Sequence, residues 1–131
     1  EITSQMGVEH EQPFYFMTEH MDQYRQMLGD SIGQQRIREA EMRLEAQAPY
    51  YKITWEQLQD SAIISQIHSG DIITFVDSHP GLDLAHVALA YEMDGEMHFI
   101  HASYGGKCVM KEPRTLAEYA KNGIRVMRYT L

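Results

Sequence analysis

The feature that most constrains the fold is an Asp94-Gly95 pair set between two apolar runs. Asp-Gly is a preferred loop for a two-residue β-hairpin, because both loop positions take a positive φ. The flanking runs, 85–91 and 97–102, are rich in β-branched, aromatic and small apolar residues. The sequence therefore predicts an antiparallel hairpin in the second half of the chain.

The elements predicted around this hairpin define the fold class. Residues 71–77, 107–110 and 124–130 read as further strands. A helix is predicted from Thr18 to Leu28, and another begins at a Ser31 capping box and stops before Pro49. Capping boxes at Thr54 and Thr115 each open a short helix. The predicted class is α+β: helices followed by a mostly antiparallel meander with one late helix.

Length and charge exclude some functions. A chain of 131 residues is sized for one domain, so we predict that residues 1–131 form a single unit. Its formal net charge is -8, and its basic residues are scattered, which argues against nucleic-acid binding. No apolar run approaches the roughly 18 residues of a membrane-spanning helix. We expect neither a nucleic-acid partner nor a membrane span.

Two histidines, His86 and His101, fall on the predicted hairpin. Counting outward from the turn places His101 opposite Ala88, so His86 and His101 become diagonal neighbours on one face, roughly 7–8 Å apart. Because imidazole titrates near neutral pH, such a pair can take and give protons. The pattern equally fits two hydrogen-bonded strand residues, and spacing alone favours that plainer interpretation.

Metal binding and thiol chemistry have weaker support. Zinc needs three or four converging ligands, yet the chain has no HExxH motif, and His98 and His101 alternate to opposite faces of a strand. We predict no metal and no cofactor. The single cysteine, Cys108, lies in a short predicted strand, where a thiol is more often a small core residue than a nucleophile.

Short motifs recur in order along most of the chain. They are Met17-Thr18-x-His20, a helix with Arg38 and Glu41, Gly70-Asp71-Ile72-Ile73, a Gly-Leu-Asp-x-x-His segment from Gly81 to Ala90, His-Ala-Ser at 101–103, Thr115-Leu116 and Gly123-Ile124-Arg125-Val126. Together they resemble the NlpC/P60 cysteine-peptidase superfamily. The closer resemblance is to its N-acetylmuramoyl-L-alanine amidase-like branch, also catalogued as domain of unknown function 1460.

The resemblance implies a papain-like fold and a hydrolytic mechanism. In that family a cysteine at a helix N-terminus attacks an amide carbonyl, a strand histidine acts as base, and a polar residue on the next strand orients it. By this resemblance His86 is the base and His101 the orienting residue, while Asp83, Ala88 and Ser103 contact substrate. The implied substrate is a peptidoglycan stem peptide or muropeptide, cut at the amide joining muramic acid to L-alanine or at a nearby bond.

The sequence departs from that family in two places. Position 88 is alanine where the family usually has glycine, and no cysteine precedes the hairpin. Cys108 follows both histidines and does not match the family nucleophile. We therefore expect the chain to be the C-terminal portion of a larger amidase, supplying base and orienting residue without the nucleophile, and to be inactive alone.

Partners and rival functions follow from the same reasoning. We expect a missing N-terminal half to dock on this chain, or exposed strand edges to cause self-association. A periplasmic or bacterial cell-surface location follows from the implied substrate. One alternative is a non-catalytic module of the same fold that binds a cell-wall fragment or a protein. Another is a permuted thiol hydrolase that uses Cys108.

Overall fold

The structure, a computed structural model, describes residues 1–130 and has the predicted α+β class. Its strands are β1 (Val8–His10), β2 (Tyr50–Lys52), β3 (Ile72–Val76), β4 (Leu84–Met93), β5 (Glu96–Ser103), β6 (Cys108–Lys111) and β7 (Ile124–Met127). Its α-helices are α1 (Phe16–Glu19), α2 (Ser31–Glu45), α3 (Ser61–Ile64) and α4 (Leu116–Tyr119). Short 3-10 turns cover Thr3–Gln5, Met21–Gln23, Arg25–Met27 and Gln57–Gln59.

A five-stranded antiparallel sheet, ordered β6-β5-β4-β3-β7, forms the body of the domain. Strands β3 to β6 follow one another as the predicted meander, and β7 returns to pair with β3. The hairpin turn adopts the positive φ values its sequence favours, 54° at Asp94 and 82° at Gly95. Met93 pairs with Glu96, so the register is the one counted from the sequence.

The core lies on one face of this sheet. Phe75, Ala88 and Phe99 come from three neighbouring strands and are at most 5 % exposed. Leu116 of α4 is fully buried against them. The Thr115 capping box fixes the start of α4 as predicted, because Thr115 Oγ1 accepts from the Glu118 N–H and Glu118 Oε2 accepts from the Thr115 N–H. The late helix is therefore held directly over the sheet.

The predicted helix from Thr18 to Leu28 is wrong. Only α1 and two 3-10 turns form in this region, and Thr18 lies inside α1 instead of capping a helix. The Thr18 hydroxyl donates to the buried Glu41 carboxylate of α2, which also accepts from the Met17 N–H at 2.9 Å. A tertiary contact has thus taken over the side chain that the sequence pattern assigned to a cap.

Two further details in the first half differ from the predictions. Helix α2 forms over Ser31–Glu45, but Asp30 caps it through the Gly33 N–H at 2.9 Å, whereas Ser31 was predicted to do so. Residues 8–10 form β1 and pair with β2, a strand that the sequence analysis did not predict. Across residues 1–130 the structure contains no helix that is both long and apolar enough to cross a membrane.

Candidate active site

Strands β4 and β5 bring the two predicted site histidines together. His86 Nε2 and His101 Nδ1 are 2.8 Å apart, which is hydrogen-bond distance, and the rings meet edge to face with centroids 5.0 Å apart. The register counted from the sequence makes the two residues diagonal neighbours, and their side chains are long enough to meet. One of these two nitrogens must donate the hydrogen bond and the other must accept it, so the tautomer of one histidine determines the tautomer of the other.

Aromatic residues of the core hold both rings in place. Phe75 stacks on His86 with centroids 5.9 Å apart, and Phe99 meets the His101 ring at 5.0 Å. Tyr119 of α4 packs against Phe99 at 4.8 Å and reaches His101 at 6.2 Å. The ring positions are therefore set by close packing in the core.

A carboxylate that the sequence analysis did not identify completes the cluster. Glu112 follows β6, is 6 % exposed, and places Oε2 3.3 Å from His101 Nε2. That contact is an ion-pair distance and falls short of a well-aligned hydrogen bond. Arg114 Nε donates to the other carboxylate oxygen at 2.7 Å. Because β6 pairs Met110 with His101, the next residue on that face is Glu112, a signal available only once the register of β6 is known.

The charges around the cluster shift two pKa values. Hydrogen bonding from the Arg114 side chain lowers the pKa of Glu112 and keeps it a carboxylate. Burial lowers the pKa of His86, and the neighbouring His101 lowers it further. At neutral pH His86 is therefore neutral, which is the form that can accept a proton.

One side of His86 faces an open cavity of about 630 Å³. The cavity is also lined by Ser103, Lys107 and Cys108. It lies at the end of the sheet where the pairing of β4 with β5 has stopped, past the Leu89–Ile100 pair. Within residues 1–130, His86 Nδ1 has no hydrogen-bond partner. His86 thus contacts His101 through one ring nitrogen and faces an open cavity on its other side.

The chain as a whole is similar to a known protein family. A profile of the N-acetylmuramoyl-L-alanine amidase-like (AmiA-like) family matches residues 1–124. The chain belongs to this family. A search of curated proteins gave no match.

Solved structures share the fold. An N-acetylmuramoyl-L-alanine amidase from Bacteroides uniformis superposes with a TM-score of 0.86 and 24 % identity, over 98 % of this chain and 56 % of that one. A Bacteroides fragilis structure named "putative xylanase" superposes with a TM-score of 0.81 and 22 % identity, over 93 % and 54 %. The chain thus spans about half the length of these solved structures.

The residues predicted to contact substrate in this amidase-like chain lie in different environments. Ser103 lines the cavity beside His86, and its hydroxyl accepts from the Gly106 N–H at 3.0 Å. Ala88 is 5 % exposed and belongs to the core. Asp83 forms a bidentate ion pair with Arg125, with oxygen-to-nitrogen distances of 2.7 and 2.9 Å. Asp83 thus anchors the 77–83 loop to β7, and its predicted contact with substrate stays a prediction.

The structure corrects the interpretation of Cys108 as a small core residue. Its thiol is free and exposed, because β6 is an edge strand that turns this position toward the cavity. His98 is buried away from His86 and bonds through Nδ1 to the Glu112 carbonyl at 3.0 Å. No group of three His, Cys, Asp or Glu residues suited to a metal occurs in the part of the chain that the structure describes.

Proposed function

We propose that this chain is the base-bearing, C-terminal portion of a cysteine amidase of the NlpC/P60 type that cleaves peptidoglycan muropeptides. The observation that carries the proposal is the 2.8 Å contact between His86 Nε2 and His101 Nδ1, with His86 Nδ1 unpaired beside an open cavity. A thiol placed there can give its proton to Nδ1 and attack an amide carbonyl as the thiolate. His101 holds the ring from the other side, as an orienting residue does in other triads.

The nucleophile in this proposal comes from outside residues 1–131. The chain covers only 56 % of the solved Bacteroides uniformis amidase, and the segment before the hairpin contains no cysteine. The upstream portion of the longer protein would place its cysteine against the His86 side of the cavity. Since peptidoglycan lies outside the cytoplasm, the proposed protein acts in the periplasm or at the cell surface of a bacterium.

The test compares this chain with a version extended upstream of Glu1 by the gene's own coding sequence. Each is incubated with a purified muropeptide, and released stem peptide is measured by liquid chromatography and mass spectrometry. We expect activity only from the extended protein, and loss of roughly 10²-fold or more of kcat in His86→Ala. His68→Ala, which removes an exposed histidine that precedes β3, is the matched control.

Four outcomes would contradict the proposal. An extended sequence without a cysteine, or one that binds muropeptide without cutting it, points to the non-catalytic binding module. Activity of the short chain that disappears in Cys108→Ser points to the permuted thiol hydrolase. The permuted thiol hydrolase is supported by one observation, namely that Cys108 and His86 line the same cavity. An unaltered rate in His86→Ala removes the base role altogether.

A further inference from the structure

We propose that Glu112 is a positioning residue that sets the tautomers of both histidines and thereby keeps His86 Nδ1 free to accept a proton. This inference rests on the proposed function and adds a residue to it. It follows from the direction in which protons must be arranged along the line from Glu112 through His101 to His86. In each of these two contacts, the atoms able to donate determine where the proton lies.

The line begins at a group that can only accept. Arg114 Nε and the Arg114 N–H both donate to Glu112 Oε1, at 2.7 and 3.3 Å. The other oxygen, Oε2, faces His101 Nε2, an atom buried with no other polar partner in residues 1–130. A carboxylate offers lone pairs only, so the favourable state of His101 carries its proton on Nε2.

The tautomer of His101 then decides that of His86. Neutral His101 with a proton on Nε2 has an acceptor at Nδ1, which lies 2.8 Å from His86 Nε2. His86 must therefore carry its proton on Nε2 and donate it to His101. This leaves the lone pair of His86 on Nδ1, the nitrogen that has no partner among the described residues. Reversing the line would put a proton on Nδ1 and block the base.

Glu112 is well fixed for this role. Its N–H donates to the Phe99 carbonyl at 2.9 Å, and its own carbonyl lies 3.0 Å from His98 Nδ1. The guanidinium group of Arg114 in turn lies 4.6 Å from the centre of the Tyr119 ring, which packs against Phe99. A carboxylate pinned through backbone and side chain can bias a neighbouring tautomer without reorganising.

The substitution Glu112→Gln makes a sharp test because Arg114 dictates how the amide sits. Arg114 can only donate, so it retains the amide oxygen and turns the NH₂ group toward His101 Nε2. His101 Nε2 must then accept, its proton moves to Nδ1, and His86 becomes protonated on Nδ1. We expect both tautomers to invert, although size and shape are nearly unchanged.

Tautomers are read by long-range ¹H–¹⁵N nuclear magnetic resonance of the imidazole rings in this chain, at about pH 8, where ordinary histidines are neutral. In the wild type we expect protonated Nε2 on both His86 and His101. In Glu112→Gln we expect protonated Nδ1 on both. Glu112→Asp keeps the charge and should keep the wild-type pattern. The matched control is Glu96→Gln, at the exposed first residue of β5.

Either of two results overturns the proposal: a wild-type His101 protonated on Nδ1, or unchanged tautomers in folded Glu112→Gln. The wild-type spectrum is decisive even where that variant does not fold. In the extended, active protein, Glu112→Gln should lower kcat roughly 10²-fold or more with little change in KM. Because the spectra need no activity, failure of the proposed amidase function leaves the tautomer test intact, and the converse also holds.

Discussion

At His86 the two ring nitrogens have different surroundings. One nitrogen lies against His101, and the other faces the cavity. Burial lowers the pKa of His86 and so favours the neutral ring, which is able to accept a proton at neutral pH. The same burial makes the fold sensitive to acid, because a protonated His86 is accommodated better in the unfolded chain.

The first prediction concerns this acid sensitivity. His86 and His10 both have a lowered pKa, chiefly through burial. Such groups bind protons more readily when unfolded, so stability is full above about pH 6.5 and falls as pH drops below that value. We expect a lower urea midpoint at about pH 5.5 than at about pH 7.5.

Substitution separates the contribution of His86 from that of other groups. His86→Gln should flatten the pH dependence of the urea midpoint, because it removes a group that binds a proton more readily in the unfolded chain. An equally steep dependence in His86→Gln would show that the titration of His86 does not affect folding.

Helix α4 is short but takes a direct part in the packing beneath the site. It contains four residues, yet Leu116 is fully buried and Tyr119 contacts the rings of Phe75 and Phe99. An isolated helix of this length has no stability of its own, so its position depends on the Thr115 capping box and on core packing. The Phe75 and Phe99 rings, which contact the two histidines, are therefore supported by a single helical turn.

The second prediction tests this dependence. Leu116→Ala should lower the free energy of unfolding by about 2–5 kcal/mol, through lost burial and the cavity left behind. The comparison is Leu28→Ala, which makes the same chemical change at a side chain that is 60 % exposed. Urea unfolding measures both. Equal, small losses in the two variants would mean that α4 is not packed into the core as described.

For the molecule as a whole, apolar surface remains uncovered. On the sheet face opposite the core, Val87 is 56 % exposed, Leu89 49 % and Val109 73 %. Helix α2 likewise leaves Ile32 and Met42 about two-thirds exposed. Strand β6 forms an open edge of the sheet. These features fit the proposal that the upstream portion of a longer protein packs against this chain, because exposed apolar faces and unpaired edges favour association.

The third prediction follows for the chain by itself. With its β6 edge and apolar face uncovered, we expect concentration-dependent self-association in sedimentation experiments. Val109→Lys should reduce it, because a charge on an edge strand opposes pairing, and Leu28→Lys, at an exposed apolar residue outside every strand, should not. Extension upstream of Glu1 should also suppress it. A chain that stays monomeric at every concentration would contradict the proposed docking surface.

Local sequence signals determined much of this architecture. The Asp94-Gly95 turn fixed the hairpin and its register, and through the register the shared face of His86 and His101, because two positive-φ positions admit few other residues. The Thr115 capping box marked the start of α4 for a similarly local reason. Resemblance of short motifs indicated the amidase-like family, which the profile match confirms.

Tertiary structure alone decided the features that depend on residues far apart in sequence. Thr18 binds Glu41 instead of capping a helix, because the bond forms only once α1 and α2 meet. Glu112 reaches His101 only through the register of β6, and Arg114 then fixes the carboxylate that faces the histidines. A pattern of neighbouring residues carries no information about such contacts, since they arise from how strands pair and helices pack.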